Sequence, residues 1–195
     1  MTSFEGATGI LGGTFDPVHN GHLAVATQCR ALLGLAQVRL VPAAEPPHRP
    51  PPTAPAADRL AMVRLAVGDR EGLVVDDIEV SRGGPSYTVD TLCRLRDSGV
   101  GPLVLLLGHD AAVELADWHR AVELPGLAQL VVFNRSGPAN GRPLPVGATE
   151  VKLDSPAVSA TELRRRLAAG EAVSGMLPAS VLAYIVERGL YGARR

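Results

Sequence analysis

The sequence predicts an α/β fold, with a Rossmann-like, doubly wound, mostly parallel sheet, helices on both faces and a small helical part at the C-terminus. Short apolar runs typical of buried strands alternate with helical patterns, and Gly/Pro-rich stretches separate them. A glycine-rich turn also joins the first strand to the first helix. Because ligands bind at the carboxyl ends of the strands in such sheets, we expect loops that follow strands to build the site.

Length and composition indicate a single domain, 1–195, with a C-terminal helical part over about 156–195. The 46% hydrophobic and 20% charged residues are typical of globular proteins, and apolar runs such as 103–107 are too short to cross a bilayer. A net charge of −1 argues against broad nucleic-acid or membrane surfaces. Residues 1–9 lack the lysine and arginine of a leader. We therefore expect a cytoplasmic protein without nucleic-acid or membrane partners, and a homo-oligomer is left open.

The first strand and helix follow from two apolar patterns. Residues 8–11 form a short run typical of a buried strand. Cys29 and Cys93 fit apolar positions of separate helices and form no C-x-x-C pair, which predicts reduced core thiols. The stripe of the first helix comprises Val25, Ala26, Cys29, Leu32 and Leu33.

A strand, a long loop and a helix are predicted next. Residues 37–41 form the strand, and the many prolines of 43–57 exclude a regular element and leave a loop long enough to be a lid. Asp58 is placed to cap a helix that runs to about Val67. Residues 73–80 then form another strand pattern.

The rest of the chain continues the alternation. Its continuous apolar strands suit the centre of a parallel sheet, and its glycine- and proline-rich segment suits a surface loop. The predicted elements are a helix at 88–96, strands at 103–107 and 130–133, a loop at 136–147, a short strand near Val151, and helices at 161–169 and 178–187.

The residues from Gly12 to His22, G-G-T-F-D-P-V-H-N-G-H, are the most informative stretch. The glycines allow a polyphosphate to approach the backbone, and the helix start offers N–H groups and a positive dipole end. His19 and His22 are spaced to face one point across a helical turn. Two imidazole donors there would stabilise the charge that develops during phosphoryl transfer, without a covalent intermediate.

Two other interpretations of these histidines stay open at this point. They could merely line the helix start, or they could bind zinc together with Asp16 in a structural interaction domain. A zinc site needs further well-spaced His or Cys ligands, and none is evident nearby. Asp16 also suits a turn before Pro17.

Residues 12–22 resemble the G-G-T-F-D-P-x-H-x-G-H motif of the nucleotidyltransferase superfamily, and further landmarks resemble the bacterial nicotinate-mononucleotide adenylyltransferases. The resemblance spans nearly the whole chain. It implies transfer of AMP from ATP to nicotinate mononucleotide, giving nicotinate adenine dinucleotide and pyrophosphate, with Mg²⁺ held mainly through ATP. The further landmarks are Pro47-His48-Arg49, 86–92, 108–110, Trp118, Arg135, 158–164 and 178–191.

The resemblance also implies which residues contact each substrate, with His19, His22 and Arg164 as the catalytic groups. The tryptophan is expected to stack on the pyridine ring, while backbone N–H groups of Thr88 and His119 receive the carboxylate. The implied ATP contacts are Gly12, Gly13, Thr14, Phe15, His19, Gly21, His22, Ser159, Thr161 and Arg164. The implied acceptor contacts are Arg49, Tyr87, Thr88, Asp110, Trp118, His119 and Arg135.

Arguments from the residues themselves leave some alternatives. Thr161 suits an N-cap with Arg164 one turn inward. Trp118 in a polar run suits either a stacking platform or a packing residue at a helix end, and Asp110 either a ribose contact or a helix cap. Ala160 and Arg49 replace the serine and lysine usual in the resembled family.

The function also has alternatives. Nicotinamide mononucleotide or phosphopantetheine could be the acceptor, or the chain could be a non-catalytic nucleotide-sensing module. The segments 86–88 and 118–119 contain no carboxylate that would receive an amide N–H₂. The sequence therefore predicts a preference for the nicotinate acid over the amide.

Overall fold

The computed structural model describes residues 4–135 and 144–193. Within these ranges six strands form one sheet, and every neighbouring pair is parallel. The strands are β1 (Thr8–Gly13), β2 (Gln37–Pro42), β3 (Leu73–Val75), β4 (Leu103–Gly108), β5 (Gln129–Arg135) and β6 (Thr149–Leu153). Their order in the sheet is β3-β2-β1-β4-β5-β6, which is the doubly wound Rossmann order. The predicted fold class is confirmed.

Helices cover both faces of this sheet because alternate side chains of each strand point to opposite sides. Leu11 and Val104 belong to one apolar cluster, together with residues of the first, second and last two helices of the chain. Ile10 and Leu105 belong to a second apolar cluster, together with residues of the fourth and sixth helices. The helices are α1 (Asn20–Leu33), α2 (Ala56–Val67), α3 (Ile78–Arg82), α4 (Thr88–Asp97), α5 (His109–Val113), α6 (Leu124–Leu127), α7 (Ala160–Ala169) and α8 (Ala179–Arg188), with 3-10 turns at Leu115–Asp117, Ala121–Glu123 and Leu190–Gly192.

The strand order positions the site. From β1 the chain passes to β2, which lies on one side of β1 in the sheet. On the other side of β1 lies β4. Loops that follow β1 and β4 therefore diverge and leave a crevice at the carboxyl ends of these two strands. This is the edge at which the sequence predicted a site.

The predicted strand at 73–80 is wrong beyond Val75, because the chain turns there into α3. Asp76 explains the turn. One of its carboxylate oxygens accepts from the N–H of Ile78 at 3.1 Å, and the other accepts from Arg39 on β2 at 2.7 Å. These bonds hold the backbone in a turn where a strand would need to stay extended.

Two predicted helix caps are also wrong. α2 begins at Ala56, so the preceding loop ends at Pro55 and Asp58 lies inside the first turn. The Asp58 carboxylate instead accepts from the Tyr184 hydroxyl of α8 at 2.7 Å. At α7 the cap is Ser159, whose hydroxyl accepts from the N–H of Glu162 at 3.4 Å, and Thr161 lies within the helix.

The two cysteines and the apolar stripe predicted for α1 are buried as expected, with two exceptions. Cys29 is fully buried, and burial raises the pKa of its thiol to about 12. Cys93 is only half-buried, and Leu32 is 57% exposed although the stripe included it. Of the loop predicted at 136–147, residues 136–143 lie outside the described part of the chain.

Among residues 4–135 and 144–193, no helix combines the length and the apolar character needed to cross a membrane.

Candidate active site

A cavity of about 320 Å³ opens at the carboxyl ends of β1 and β4. Its size lies at the lower end of the range of small-molecule sites. One side is formed by the β1–α1 turn and the other by the segments around the start of α4 and the end of the first 3-10 turn. The loop between β2 and α2 forms a third wall through residues 46–49.

The β1–α1 turn presents backbone to the cavity. Gly12, Gly13 and Thr14 line it, whereas Phe15 is buried behind them with a left-handed φ of 50°. A Cβ at Gly13 would lie 3.0 Å from the Phe15 ring. Any larger residue at position 13 would therefore have to displace this ring by a few tenths of an ångström, and with glycine the backbone stays accessible from the cavity.

The predicted histidine pair is brought together as expected. The His19 and His22 rings are stacked with centroids 3.6 Å apart, and the Phe15 and His22 rings are nearly perpendicular with centroids 5.0 Å apart. His22 lines the cavity, while His19 is 2% exposed and lies behind it. The two imidazoles thus share one stack, and His22 is the one that faces the open space.

The backbone determines which nitrogen of His22 carries the proton. Its Nδ1 accepts from the N–H of His19 at 3.2 Å. An accepting Nδ1 has no proton, so the neutral ring carries its proton on Nε2. His22 is therefore held as an Nε2–H donor beside the glycine backbone of the cavity.

Asp16, considered as a metal ligand or turn residue, is a buried hydrogen-bond centre. Its Oδ1 accepts from the Ala54 N–H at 3.0 Å and from the Tyr191 hydroxyl at 2.8 Å, and its Oδ2 accepts from the Thr53 N–H at 2.7 Å. Burial, followed by the bond to Asp16, strongly raises the pKa of Tyr191. Asp16 thus joins the β1–α1 turn to the end of the β2–α2 loop and to the C-terminal turn.

Arg59 on α2 was not singled out from the sequence, although it is 1% exposed beside the site. Its guanidinium donates to four backbone carbonyls at 2.6 to 3.1 Å. These belong to Thr14 of the β1–α1 turn and to Ala43, Ala44 and Ala54 at the two ends of the β2–α2 loop. Burial lowers the Arg59 pKa, and the neighbouring Asp16 charge opposes this shift.

The start of α7 meets the same turn from another side. Arg164 donates to the Asp16 carbonyl at 2.7 Å and to the Thr161 hydroxyl at 3.3 Å, and its Nη1 lies 3.8 Å from the Asp16 carboxylate. Arg164 thus contacts the β1–α1 turn directly, whereas Ser159, Thr161 and Arg164 do not line the 320 Å³ cavity itself. Gly21 is buried in α1, where a Cβ would lie 3.0 Å from His19 Nδ1.

Two aromatic pairs form the opposite end of the cavity. His48 of the β2–α2 loop is nearly parallel to Trp118, at 6.2 Å between centroids, and Tyr87 lies 4.2 Å from His119. Trp118 is half-buried, packs on the apolar cluster beneath α4 and also lines the cavity. Trp118 therefore packs on the apolar core, as the packing interpretation expects, and also borders the cavity, as the stacking interpretation expects.

Other predicted acceptor residues differ in placement. Thr88 lines the cavity as the first residue of α4. Arg49 also lines it, with Nη2 3.9 Å from Glu114. Asp110 is exposed in the first turn of α5 and is not among the lining residues, and the cap position there is Gly108, so the helix-cap alternative is wrong. The side chain of Arg135 lies outside the described part of the structure.

Glu79 on α3 is a second ionisable residue that sequence reasoning missed. It is 6% exposed, lines the cavity and accepts from the Thr91 hydroxyl at 2.6 Å. Burial raises its pKa, and hydrogen bonds from Thr91 and Ser86 oppose this only in part. The prediction that no carboxylate lies near the acceptor end considered only 86–88 and 118–119, and Glu79 corrects it.

A sequence signal existed for Arg59 but was overlooked. Arg59 shares the helical spacing of Met62, Val63 and Ala66, all of which are fully buried. A charged residue on such a stripe must find buried partners. For Glu79 no such signal existed, because the segment was assigned to a strand.

Metal ligands are scarce near the cavity. The described residues contain no cluster of three or more His, Cys, Asp or Glu side chains that could hold a metal ion. The carboxylate oxygens of Asp16 already accept from two amides and a hydroxyl.

Comparisons with known proteins agree with this architecture. Residues 10–166 match the cytidylyltransferase-like family model. The chain is 42% identical to a protein of Chromohalobacter salexigens named probable nicotinate-nucleotide adenylyltransferase, over 93% of this chain and 94% of that protein. A protein of Pseudomonas syringae with the same name is 44% identical, over 99% and 97%.

A solved structure shares the fold at much lower identity. Plasmodium falciparum nicotinic acid mononucleotide adenylyltransferase, complexed with NaAD, superposes with a TM-score of 0.77 at 15% identity and covers 96% of this chain and 98% of its own. The full-length similarity to the bacterial relatives carries the family assignment. The chain belongs to the cytidylyltransferase-like family and, within it, to the nicotinate-nucleotide adenylyltransferases.

Proposed function

We propose that the protein transfers AMP from ATP to nicotinate mononucleotide. A 5′-phosphate oxygen of the mononucleotide attacks the α-phosphorus of ATP in line, the bond to the β-phosphate oxygen breaks, and pyrophosphate leaves. The observation that carries this proposal is one cavity with a glycine backbone and His22 at one end and aromatic side chains at the other. Such a cavity can hold a polyphosphate and a flat ring at the same time.

The β1–α1 turn and the start of α7 are proposed to bind ATP. Gly12, Gly13 and Thr14 present backbone to the phosphates, and the Nε2–H of His22 donates to an oxygen on which charge develops. His19 and Phe15 hold the His22 ring in place. Ser159, Thr161 and Arg164 are placed beside the same turn, where Arg164 adds positive charge.

Mg²⁺ is proposed to enter as part of the MgATP substrate. The scarcity of carboxylate and imidazole clusters among the described residues suits an ion held by phosphate oxygens and water. The nucleotidyltransferase family context supports nucleotides as the substrates. We further propose a single domain acting in the cytoplasm, without nucleic-acid partners, and size-exclusion chromatography tests whether it forms a homo-oligomer.

The acceptor is proposed to occupy the aromatic end. Trp118 supplies a ring face, and the N-terminal N–H groups of α4 at Thr88, together with His119, suit a carboxylate. Tyr87 and Arg49 complete this end, and Asp110 and Arg135 remain proposed acceptor contacts that the cavity lining does not include.

Replacement of Trp118 tests the stacking role. We expect Trp118→Ala to raise the KM for nicotinate mononucleotide by about tenfold or more, because stacking on an aromatic face is worth about 1–3 kcal/mol. The KM for ATP should change by no more than about twofold, since ATP occupies the other end. Steady-state kinetics with each substrate varied in turn measures both values, and equal losses for the two substrates would assign Trp118 to packing alone.

Comparison of the acid with the amide tests the carboxylate pocket. We expect kcat/KM for nicotinate mononucleotide to exceed that for nicotinamide mononucleotide at least about tenfold, because an amide N–H₂ facing N–H donors leaves a donor unpaired at a cost of about 1–3 kcal/mol. Glu79 lines the same cavity with one carboxylate oxygen receiving the Thr91 hydroxyl, so a preference for the amide would indicate that Glu79 accepts the amide N–H₂. Equal kcat/KM values would contradict this pocket while leaving adenylyl transfer intact.

Pyrophosphate release with a panel of acceptors tests the function as a whole. We expect release that depends on nicotinate mononucleotide. Release with phosphopantetheine alone would identify a different acceptor, and binding of nucleotides without release would indicate a sensing module. A folded protein that contains zinc and unfolds with chelator would instead support a structural zinc domain.

A further inference from the structure

Glu79 is a buried carboxyl group that the proposed chemistry does not use. It lies on the short helix α3 and reaches α4, where the Thr91 hydroxyl donates to it at 2.6 Å. Thr91 is itself 1% exposed and one turn beyond Thr88. Glu79, Thr91 and Thr88 all line the same cavity.

A second hydroxyl extends this contact to the β2–α2 loop. Ser86, which precedes α4, lines the same cavity, and its hydroxyl counteracts part of the rise in the Glu79 pKa that burial causes. The Ser86 hydroxyl accepts from the Ala44 N–H at 2.8 Å, and the Ser86 N–H donates to the Glu45 carbonyl at 2.9 Å. The carboxyl group thus joins α3 to α4 through Thr91, beside the point at which Ser86 ties the entry of α4 to the start of the loop.

The contact between Glu79 and Thr91 lies at the start of α4, next to Tyr87 and Thr88, which line the cavity. Thr91 lies one turn beyond Thr88, so the first turn of α4 is held by one buried group. A site binds best when its donors are already oriented by a supporting set of hydrogen bonds. Loss of the carboxyl would allow the first turn of α4 to move relative to the cavity.

We propose that Glu79 is a positioning residue for the acceptor, because its carboxyl group holds Thr91 and thereby orients the N-terminal N–H groups of α4. This inference rests on the proposed function only in placing the carboxylate-bearing mononucleotide at this end of the cavity. Glu79 itself is not proposed to touch the substrate, and ATP binding at the β1–α1 turn should be independent of it.

The test uses Glu79→Gln and the pair Thr91→Val and Thr91→Ser in the full chain. Calorimetric titration gives the Kd for nicotinate mononucleotide and for ATP without requiring turnover. We expect Thr91→Val, which loses the hydrogen bond to a charged group, to weaken mononucleotide binding about tenfold or more. Glu79→Gln keeps a neutral acceptor and loses only the charge assistance, so it should weaken this binding by a smaller factor, and both variants should change ATP binding by less than about twofold. Thr91→Ser keeps the hydroxyl and should bind as the wild type does.

Glu187→Gln on the exposed face of α8 is the matched control and should leave both affinities unchanged. Wild-type affinities in Glu79→Gln, or equal losses for ATP and the mononucleotide, would overturn the inference. If Glu79→Gln does not fold, the threonine pair decides, and equal binding by Thr91→Val and Thr91→Ser would overturn it.

Failure of the proposed function gives a different result. A wild type that binds nicotinate mononucleotide but releases no pyrophosphate from ATP would contradict the transferase, while the effect of Glu79→Gln on binding would still support the positioning role. A wild type that does not bind the mononucleotide would overturn both.

Discussion

His22→Ala should lower kcat by about 10²-fold or more, because the loss of one preorganised donor to transition-state charge costs this much in other enzymes. The Nδ1 bond to the His19 backbone holds the proton on Nε2, so the ring is already oriented before substrate arrives. Alanine removes both the donor and the ring that Phe15 and His19 enclose. Because the effect arises in the transition state, the KM for ATP should change far less than kcat.

His19→Ala should also lower turnover by about 10²-fold, since its ring stacks on His22 and the two imidazoles act as one unit. His109→Ala is the matched control, because His109 is a histidine at the start of α5 that does not line the cavity. Rates of pyrophosphate release at saturating substrates measure all three variants, with circular dichroism to check folding. Near-normal turnover in both His22→Ala and His19→Ala, with intact spectra, would contradict the proposed chemistry.

Arg59→Met should lower the free energy of unfolding by about 3–5 kcal/mol, which corresponds to a Tm lower by about 10 °C for a chain of this size. Methionine fills similar space but leaves four buried carbonyls without their donor and removes positive charge near Asp16. The lost bonds join the β1–α1 turn to both ends of the β2–α2 loop. We therefore expect lower affinity for both substrates as well.

Arg188→Met is the control for Arg59→Met, because the Arg188 side chain is 57% exposed and pairs with Asp58 at 3.3 Å. Only Asp58 of this pair is buried, and it keeps its hydrogen bond from the Tyr184 hydroxyl when the exposed guanidinium is removed. The unfolding free energy of Arg188→Met should therefore fall far less than that of Arg59→Met, by about 1 kcal/mol or less. Urea unfolding followed by circular dichroism compares the three proteins. A loss below about 1 kcal/mol for Arg59→Met would show that its hydrogen bonds are replaced by water.

Features encoded within a few neighbouring residues were predicted from the sequence. The six predicted strands correspond to β1 to β6, with the third ending early at Val75, and the predicted helices correspond to α1, α2, α4, α7 and α8. They follow from apolar spacing over short stretches of chain. The stacking of His19 on His22 follows in the same way, because residues three apart share a helix face. The motif from Gly12 to His22 therefore located the site from local pattern alone.

The roles of buried polar groups were decided by tertiary structure. Asp58 was expected to cap its own helix, yet its carboxylate binds Tyr184, 126 positions away, and Asp16 binds Tyr191, 175 positions away.

Glu79 likewise lies in a segment whose strand-like apolar pattern is overridden by the turn at Asp76. The sequence alone determined the order of the strands and of the longer helices, and the glycine-rich turn between β1 and α1, since these depend on short-range spacing. The tertiary structure decided which charged side chains hold the cavity together. A buried charge must be paired, and its partners are the groups that the fold brings next to it from distant parts of the chain.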